Sequence, residues 1–187
     1  MRIISGKFKG KKILQPKDFN TRPLKDLTKE SIFNIIVHSK KVKFDLENSN
    51  ILDLFAGVGS FGIECLSRGA DKVTFIEKYE GVLPILKKNL DNLNANINYE
   101  IISKDIDDGL IFKNLDKKYD LIFLDPPYKN KELKKILVNI YDQEILDKNG
   151  IIVAHRHKKE YDKIPNYFSI IEEKNYGISK IIFLSFC

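Results

Sequence analysis

The tetrapeptide Asp125-Pro126-Pro127-Tyr128 follows directly after the apolar run 121–124. Two consecutive prolines remove two backbone donors and restrict the chain, so the Asp125 carboxylate and the Pro126 carbonyl can be held pointing into a crevice. Two rigid acceptors beside an aromatic ring suit a planar group with an exocyclic amine, on whose face Tyr128 would stack. We favour this interpretation over an ordinary turn at the end of a strand.

The chemistry that such a site allows is transfer of a methyl group to the amine nitrogen. An amine on an aromatic base is a weak nucleophile because its lone pair is delocalised into the ring. Acceptors on its N–H bonds would favour tetrahedral geometry, localise the lone pair and stabilise the positive charge that develops during attack. The proton can then pass to Asp125 or to water.

A glycine-rich loop between Asp53 and Gly62 follows an apolar strand and opens a helix. Gly57, Gly59 and Gly62 have the spacing of the dinucleotide fingerprint, and Glu77 lies 20 residues beyond Gly57. By spacing alone, a nicotinamide oxidoreductase fits this pattern. Any cofactor that carries adenosine, however, needs glycines that let the backbone approach and an acid that accepts from the ribose diol.

Asp53 distinguishes between these cofactors, because a carboxylate at that strand end would repel a pyrophosphate. It would instead attract a ligand that carries an α-amino group and a sulfonium, and S-adenosylmethionine is such a ligand. Asp105 follows the third strand, where it can accept from an adenine amino group while Ile106 flanks the ring. A helix N-cap explains Asp105 almost as well.

The elements that position these residues alternate between strand and helix from residue 50 onward. Strands are predicted at residues 50–54, 72–76, 97–102, 119–124 and 150–154. Helices are predicted at residues 60–68, 81–93 and 131–141, with a short helix after Asp105. The final runs, 167–174 and 178–186, have no helix between them and should pair antiparallel. The pattern predicts an α/β fold with a mostly parallel sheet, helices on both faces and a C-terminal antiparallel hairpin.

Residues 1–47 carry the basic excess of the chain. They contain 12 Lys and Arg against 5 Asp and Glu, whereas the other 140 residues contain 20 and 21. The segment should form a hairpin from 2–5 and 11–14, a loop, and an amphipathic helix over 26–39 whose apolar positions include Leu27. A basic arm on a neutral body is what contact with a phosphate backbone requires, although a solvated face explains the charge equally well.

Length and composition exclude several classes. With 187 residues the chain has room for one domain and a small extension, which we place at residues 48–187 and 1–47. Two cysteines rule out a disulfide framework, and the apolar runs are shorter than the roughly 20 residues that span a bilayer. No metal site is expected, since His155 and His157 have no third ligand in view. We expect a cytoplasmic protein with no secretory signal.

Several further motifs resemble the bacterial small-subunit ribosomal RNA guanine-N2 methyltransferase family, within the S-adenosylmethionine-dependent amino methyltransferases that carry Asp/Asn-Pro-Pro-Tyr. They are the start Met1–Gly10, Thr21-Arg22-Pro23, Lys29–Ile35, Asp53–Gly57 and Leu66–Ala70. The similarity runs nearly end to end. It implies a Rossmann-like class I methyltransferase fold with seven strands, S-adenosylmethionine as cofactor, and a monomer that needs no obligate protein partner.

The resemblance also implies a substrate and a set of contacts. The substrate would be one guanine of ribosomal RNA, within a small ribosomal subunit or its assembly intermediate, and Asp125–Tyr128 would hold the target base. Cofactor contacts are expected at Asp53, Phe55, Ala56, Gly57, Gly59, Glu77, Lys78, Asp105 and Ile106. RNA contacts are expected at Arg2, Lys7, Lys9, Lys11, Lys12 and Arg22, where Arg22 could alternatively meet the cofactor carboxylate.

The sequence departs from the expected pattern after the fifth strand. Ala154-His155-Arg156-His157 stands where we would expect an acid such as Glu. We interpret the segment as a basic surface loop at the RNA face. The alternatives to the whole assignment are an adenine-N6 methyltransferase acting on DNA or RNA, a nicotinamide oxidoreductase, and an RNA-binding module without catalysis.

Overall fold

The computed structural model describes residues 1–16, 24–106, 115, 118–126 and 133–187. In these ranges the strands are β1 Asn50–Leu54, β2 Lys72–Ile76, β3 Asn98–Ile102, β4 Tyr119–Leu124, β5 Leu146–His157, β6 Phe168–Tyr176 and β7 Ser179–Phe186. The helices are α1 Asp26–His38, α2 Ser60–Ser67, α3 Leu83–Asp91 and α4 Leu133–Asp142. None of the helices in these ranges combines the length and the apolar character that crossing a bilayer requires.

The strands form one sheet in the order β3-β2-β1-β4-β5-β7-β6. Strands β1 to β5 are parallel to one another, and β7 runs antiparallel to both β5 and β6. The strand order changes direction between β1 and β4, and in open α/β sheets ligands bind in the crevice at such a point. The predicted mostly parallel sheet with its C-terminal antiparallel hairpin is therefore confirmed.

Helices cover both faces of the central strands, so β1 and β4 are almost entirely buried. The ring of Phe61 in α2 stacks on Phe123 of β4 with a centroid distance of 3.9 Å, and Phe33 of α1 lies 5.1 Å from Phe61. This stack of three rings fixes α1 and α2 against the sheet beside the end of β4.

The N-terminal hairpin packs on the C-terminal end of α2. Arg2 and Lys12 form an antiparallel bridge, which confirms the hairpin predicted from the glycines. The backbone at Gly6 has φ +81° and lies so close to Ser67 that a Cβ would be 1.8 Å from its carbonyl oxygen. Only glycine fits there, so the turn can seat directly on the helix end.

A buried charge cluster fixes this hairpin to α1 and α2. The two carboxylate oxygens of Glu64 accept hydrogen bonds from the backbone N–H groups of Ile4 and Ser5 at 2.8 and 2.9 Å. Lys29 Nζ lies 3.5 Å from Glu64 and donates to the carbonyl of Arg2 at 2.8 Å. Burial lowers the pKa of Lys29, although Glu64 opposes this shift. The cluster therefore connects three elements without exposure to solvent.

Two predictions about local structure are wrong. Strand β5 extends well beyond residues 150–154, because the polar segment before Gly150 stays in the strand and residues 155–157 pair with β7. The predicted surface loop at His155–His157 is therefore part of the sheet. Leu27, which we placed on the apolar face of α1, is 71% exposed.

The other helices begin and end close to their predicted limits. Pro84 lies at the start of α3, where its missing N–H removes no helical bond. The predicted helix over 131–141 appears as α4 from Leu133, and its first two residues lie outside the described part of the chain. The short helix predicted after Asp105 also falls almost entirely outside it.

Candidate functional site

A cavity of about 580 Å³ opens where the parallel strands end. Its walls include Asp53 of β1, Glu77 after β2, Asp125 after β4 and His155 of β5. The volume lies in the range of small-molecule pockets, about 300–1,000 Å³. Residues predicted to hold the cofactor and residues predicted to hold the target thus line one cavity.

The loop after β1 has the conformation that a ligand cradle needs. Phe55 has φ +63° and Gly57 has φ +54°, which turns the chain sharply beside the cavity. A Cβ at Gly57 would meet no atom within 4 Å, so the loop leaves open space at this position. Phe55, Ala56 and Gly57 all line the cavity, where a cofactor contact was predicted.

Glu77 connects this loop to the end of β2 through a hydrogen bond. Its Oε2 accepts a hydrogen bond of 2.8 Å from the backbone N–H of Gly57, and its Oε1 accepts one of 2.8 Å from Tyr79. A carboxylate offers about four acceptor positions, so two bonds leave capacity for a ribose diol. The predicted role of Glu77 is compatible with this geometry.

The other glycines of the fingerprint serve packing. A Cβ at Gly59 would lie 2.4 Å from Leu86 of α3, and one at Gly62 would lie 2.3 Å from Phe75 of β2. Close approach of α2 to these neighbours therefore requires glycine. Among the described residues that line the cavity, Gly59 does not appear.

Asp53 is almost fully buried and accepts a hydrogen bond of 2.9 Å from the backbone N–H of Gly62. Burial is the main cause that raises the pKa of Asp53 to about 8, and the charges of Asp125 and Glu77 act in the same direction. The side chain is therefore mostly protonated at pH 7 in the ligand-free protein. A cationic ligand would favour ionisation, so the predicted attraction would come with release of a proton.

Three of the predicted cofactor contacts, Lys78, Asp105 and Ile106, lie at or near the ends of β2 and β3. Lys78 Nζ lies 3.1 Å from Asp105 Oδ2, so these two side chains form an ion pair between the ends of β2 and β3. Ile106 is 3% exposed and packs in the core cluster on the α4 side of the sheet. Lys78 lines the cavity, whereas Asp105 and Ile106 are not among the described residues that do.

The described half of the tetrapeptide faces the same space. Asp125 and Pro126 both line the cavity, directly after the strand that neighbours β1. Pro127 and Tyr128 lie outside the described residues, as does Arg22. The first two positions therefore agree with a site that holds a target group beside the cofactor loop.

His155 is part of this site, contrary to the predicted surface loop. Its Nδ1 lies 2.8 Å from Asp125 Oδ1 and its Nε2 lies 2.9 Å from Ser179 Oγ. The neighbouring Arg156 is fully buried and pairs with Asp162 at 2.9 Å. Polar residues looked like a loop in the sequence, but each of these two finds a partner that permits burial.

Two walls of the cavity were missed by sequence reasoning. The first comes from the start of α1 and includes Leu24, Lys25, Leu27 and Thr28. The second is the turn between β6 and β7, residues 176–179. Their contribution depends on packing between distant parts of the chain, so no local motif marks them. The exposed side chain of Leu27 is explained by its position on this cavity wall.

The basic residues of the N-terminal hairpin lie away from the cavity. Lys7 follows the turn seated on Ser67 at the C-terminal end of α2, whereas the cavity lies at the N-terminal end of that helix. Lys11 Nζ donates to the carbonyls of Asn92 and Leu93, so this residue also caps α3. Among the described cavity residues, Lys25 and Lys78 are the lysines, and there is no arginine. The hairpin could therefore contact only those parts of a substrate that lie outside the cavity.

Comparison with known proteins identifies the family. The model of a family described as conserved hypothetical protein 95 matches residues 1–185. The chain is 36% identical over 172 residues to ribosomal RNA small subunit methyltransferase D of Buchnera aphidicola, which covers 92% of this chain and 86% of that protein. It is 32% identical over 179 residues to the protein of the same name from Haemophilus influenzae, covering 95% and 90%.

A solved structure supports the same assignment. The Escherichia coli protein yhhF superposes with a TM-score of 0.83 and 26% identity, covering 100% of this chain and 97% of that one. The predicted class I methyltransferase fold is confirmed, and the chain is a methyltransferase. The chain therefore belongs to the conserved hypothetical protein 95 family, the family of ribosomal RNA small subunit methyltransferase D.

Proposed function

We propose that this methyltransferase transfers a methyl group from S-adenosylmethionine to the exocyclic N2 amine of one guanine in small-subunit ribosomal RNA. The observation that carries the proposal is that Asp125 and Pro126 share a cavity with Asp53, Gly57 and Glu77. An amine acceptor and an adenosine cradle at neighbouring strand ends suit methyl transfer to a base. The names of the relatives supply the class of RNA.

The residues at the cavity fit S-adenosylmethionine. The open space at Gly57 accommodates a ligand against the backbone, Glu77 can accept from a ribose diol, and Asp53 can balance a cation. When bound, S-adenosylmethionine supplies a methyl group on a sulfonium, and the sulfur keeps the electron pair as the methyl leaves. No phosphate has to pass the acidic side chain of Asp53.

The protein's own part is to hold the amine and to receive its proton. The Asp125 carboxylate and the Pro126 carbonyl accept the two N–H bonds, so the nitrogen lone pair is directed away from them and toward the methyl group. A new N–C bond forms while the amine becomes positively charged, which the Asp125 carboxylate stabilises. The amine then loses one proton to Asp125 or to water and is neutral again.

The test is radiolabelled methyl transfer to small ribosomal subunits from a strain that lacks this gene, followed by digestion and identification of the labelled nucleoside. Labelled N2-methylguanosine is the expected product. N6-methyladenosine would establish the adenine alternative, and absence of label from RNA in subunits, assembly intermediates and naked RNA would overturn the proposal. Subunits from the parent strain are the control, because their target is already methylated.

A further inference from the structure

The imidazole of His155 bridges two residues at the edge of the cavity. Nδ1 lies 2.8 Å from Asp125 Oδ1, and Nε2 lies 2.9 Å from Ser179 Oγ. All three residues line the cavity, and His155 and Ser179 are each 7% exposed. They come from β5, the end of β4 and the start of β7, so the chain of hydrogen bonds crosses three neighbouring strands.

The partners determine which ring nitrogen carries the proton. An ionised carboxylate can only accept, so a neutral His155 that bonds to Asp125 must carry its proton on Nδ1. Nε2 is then an acceptor, and the hydroxyl of Ser179 donates a hydrogen bond to it. This tautomer is fixed by its neighbours, as it is for other histidines that bridge two polar groups.

The bond also restricts the carboxylate. A hydrogen bond to Oδ1 restricts the plane of the carboxylate. A carboxylate accepts through both oxygens, so Asp125 can still accept a hydrogen bond from the substrate amine. Where a side chain must hold an amine against a methyl donor, small variations in its orientation lower the rate of methyl transfer. Pro126 restricts the backbone at this point, and His155 restricts the side chain.

We propose that His155 is a positioning residue for Asp125, and that Ser179 in turn orients the imidazole. The proposal rests on the proposed function, because it assigns His155 to the reaction that Asp125 serves. It replaces the sequence-based interpretation of His155 as part of a surface loop. His155 acts through Asp125, so its loss should lower kcat and leave cofactor binding intact.

Two amide substitutions separate the two hydrogen bonds. In His155→Asn the amide nitrogen occupies the place of Nδ1 and can donate to Asp125, whereas in His155→Gln the longer side chain places its amide near Nε2, toward Ser179. We expect the Gln variant to lose about tenfold or more in kcat and the Asn variant to keep most of it. The affinity of both variants for S-adenosylmethionine should stay within about twofold of the wild-type value. The lost hydrogen bond to the Asp125 carboxylate should affect the methyl-transfer step and not cofactor binding. Equal losses in both variants, or no loss in either, would overturn the proposal.

A spectroscopic measurement tests the bridge without any RNA substrate. In protein labelled with ¹⁵N-histidine, the resonance of His155 should show a proton on Nδ1, and Asp125→Asn should change that signal. Ser179→Ala should shift the Nε2 resonance and lower kcat by a smaller factor than His155→Gln. A proton on Nε2 with none on Nδ1 would contradict the proposal even if the enzyme methylates guanine. If no RNA is methylated but the tautomer is as expected, the proposed function fails and the positioning geometry stands.

Discussion

The backbone N–H of Gly57 donates a hydrogen bond of 2.8 Å to Oε2 of Glu77, across the ends of two neighbouring strands. The bond holds the glycine loop in its turn through a side chain that also faces the cavity. The same carboxylate therefore shapes the cofactor cradle and remains an acceptor for the ligand.

Glu77→Ala should weaken binding of S-adenosylmethionine by about tenfold or more, because both the loop anchor and the diol acceptor are removed. Glu77→Gln should have a smaller effect, since its amide oxygen can still accept one of the two backbone bonds. Isothermal titration calorimetry measures both constants. The exposed Glu173→Ala is the control, and equal affinities in all four proteins would exclude Glu77 from the cofactor site.

The raised pKa of Asp53 predicts a pH-dependent affinity. In the free protein the carboxyl is protonated below about pH 8, and a cationic ligand stabilises its ionised form. If binding requires the ionised form, affinity should rise by up to about tenfold per pH unit between pH 6 and 8 and level off above. Asp53→Asn should bind more weakly at pH 8 and lack this rise. A rise of the same slope in that variant would assign the titration to another group.

Much of the fold could be predicted from sequence because strands β1, β2 and β4 are apolar runs bounded by turn residues, and they match their predicted limits. Strand β5 was predicted too short, because Asp147, Lys148 and Asn149 resemble a loop and His155 and Arg156 gain their partners only in three dimensions. The glycine-rich loop and the Asp-Pro-Pro-Tyr motif identified the cavity residues at the ends of the parallel strands. The walls from α1 and the β6–β7 turn arise from packing between distant segments, for which no spacing rule exists.

The buried carboxylate of Glu64 should be important for stability. Glu64→Ala leaves Lys29 without its buried partner and removes the acceptor for the N–H groups of Ile4 and Ser5, so we expect a loss of about 3–5 kcal/mol in the free energy of unfolding. Urea denaturation measures this. The double variant Lys29→Met with Glu64→Gln should lose less, because the fully buried Lys29 charge is removed together with its partner and the amide oxygen at position 64 can still accept from Arg68 Nε. A loss below about 1 kcal/mol for Glu64→Ala would contradict the role of this cluster.

The basic hairpin should contribute a salt-dependent part of RNA affinity. Lys7, Lys9 and Lys12 can be changed to Gln together, whereas Lys11 is left intact because it caps α3. If these lysines meet phosphates, affinity for ribosomal RNA falls, and the slope of log K against log salt decreases by about 0.7–0.9 for each phosphate that is no longer neutralised.

The matched control for the hairpin removes the same number of charges elsewhere. Lys118, Lys148 and Lys174 are exposed and lie outside the hairpin. Changing these three to Gln should leave the salt slope almost unchanged. Equal salt slopes for the two triple variants would mean that the hairpin lysines affect RNA affinity only through the net charge of the protein.

The role of Asp125 is tested most directly by single-turnover methyl transfer with Asp125→Ala, alongside the affinity of the variant for S-adenosylmethionine. We predict that the rate of methyl transfer falls by about 100-fold or more, since a group that stabilises developing charge is removed. Cofactor affinity should stay within about threefold of the wild type, because Asp53, Gly57 and Glu77 remain in place. Methyl transfer at close to the wild-type rate would contradict the account, since the amine would then be held by other groups.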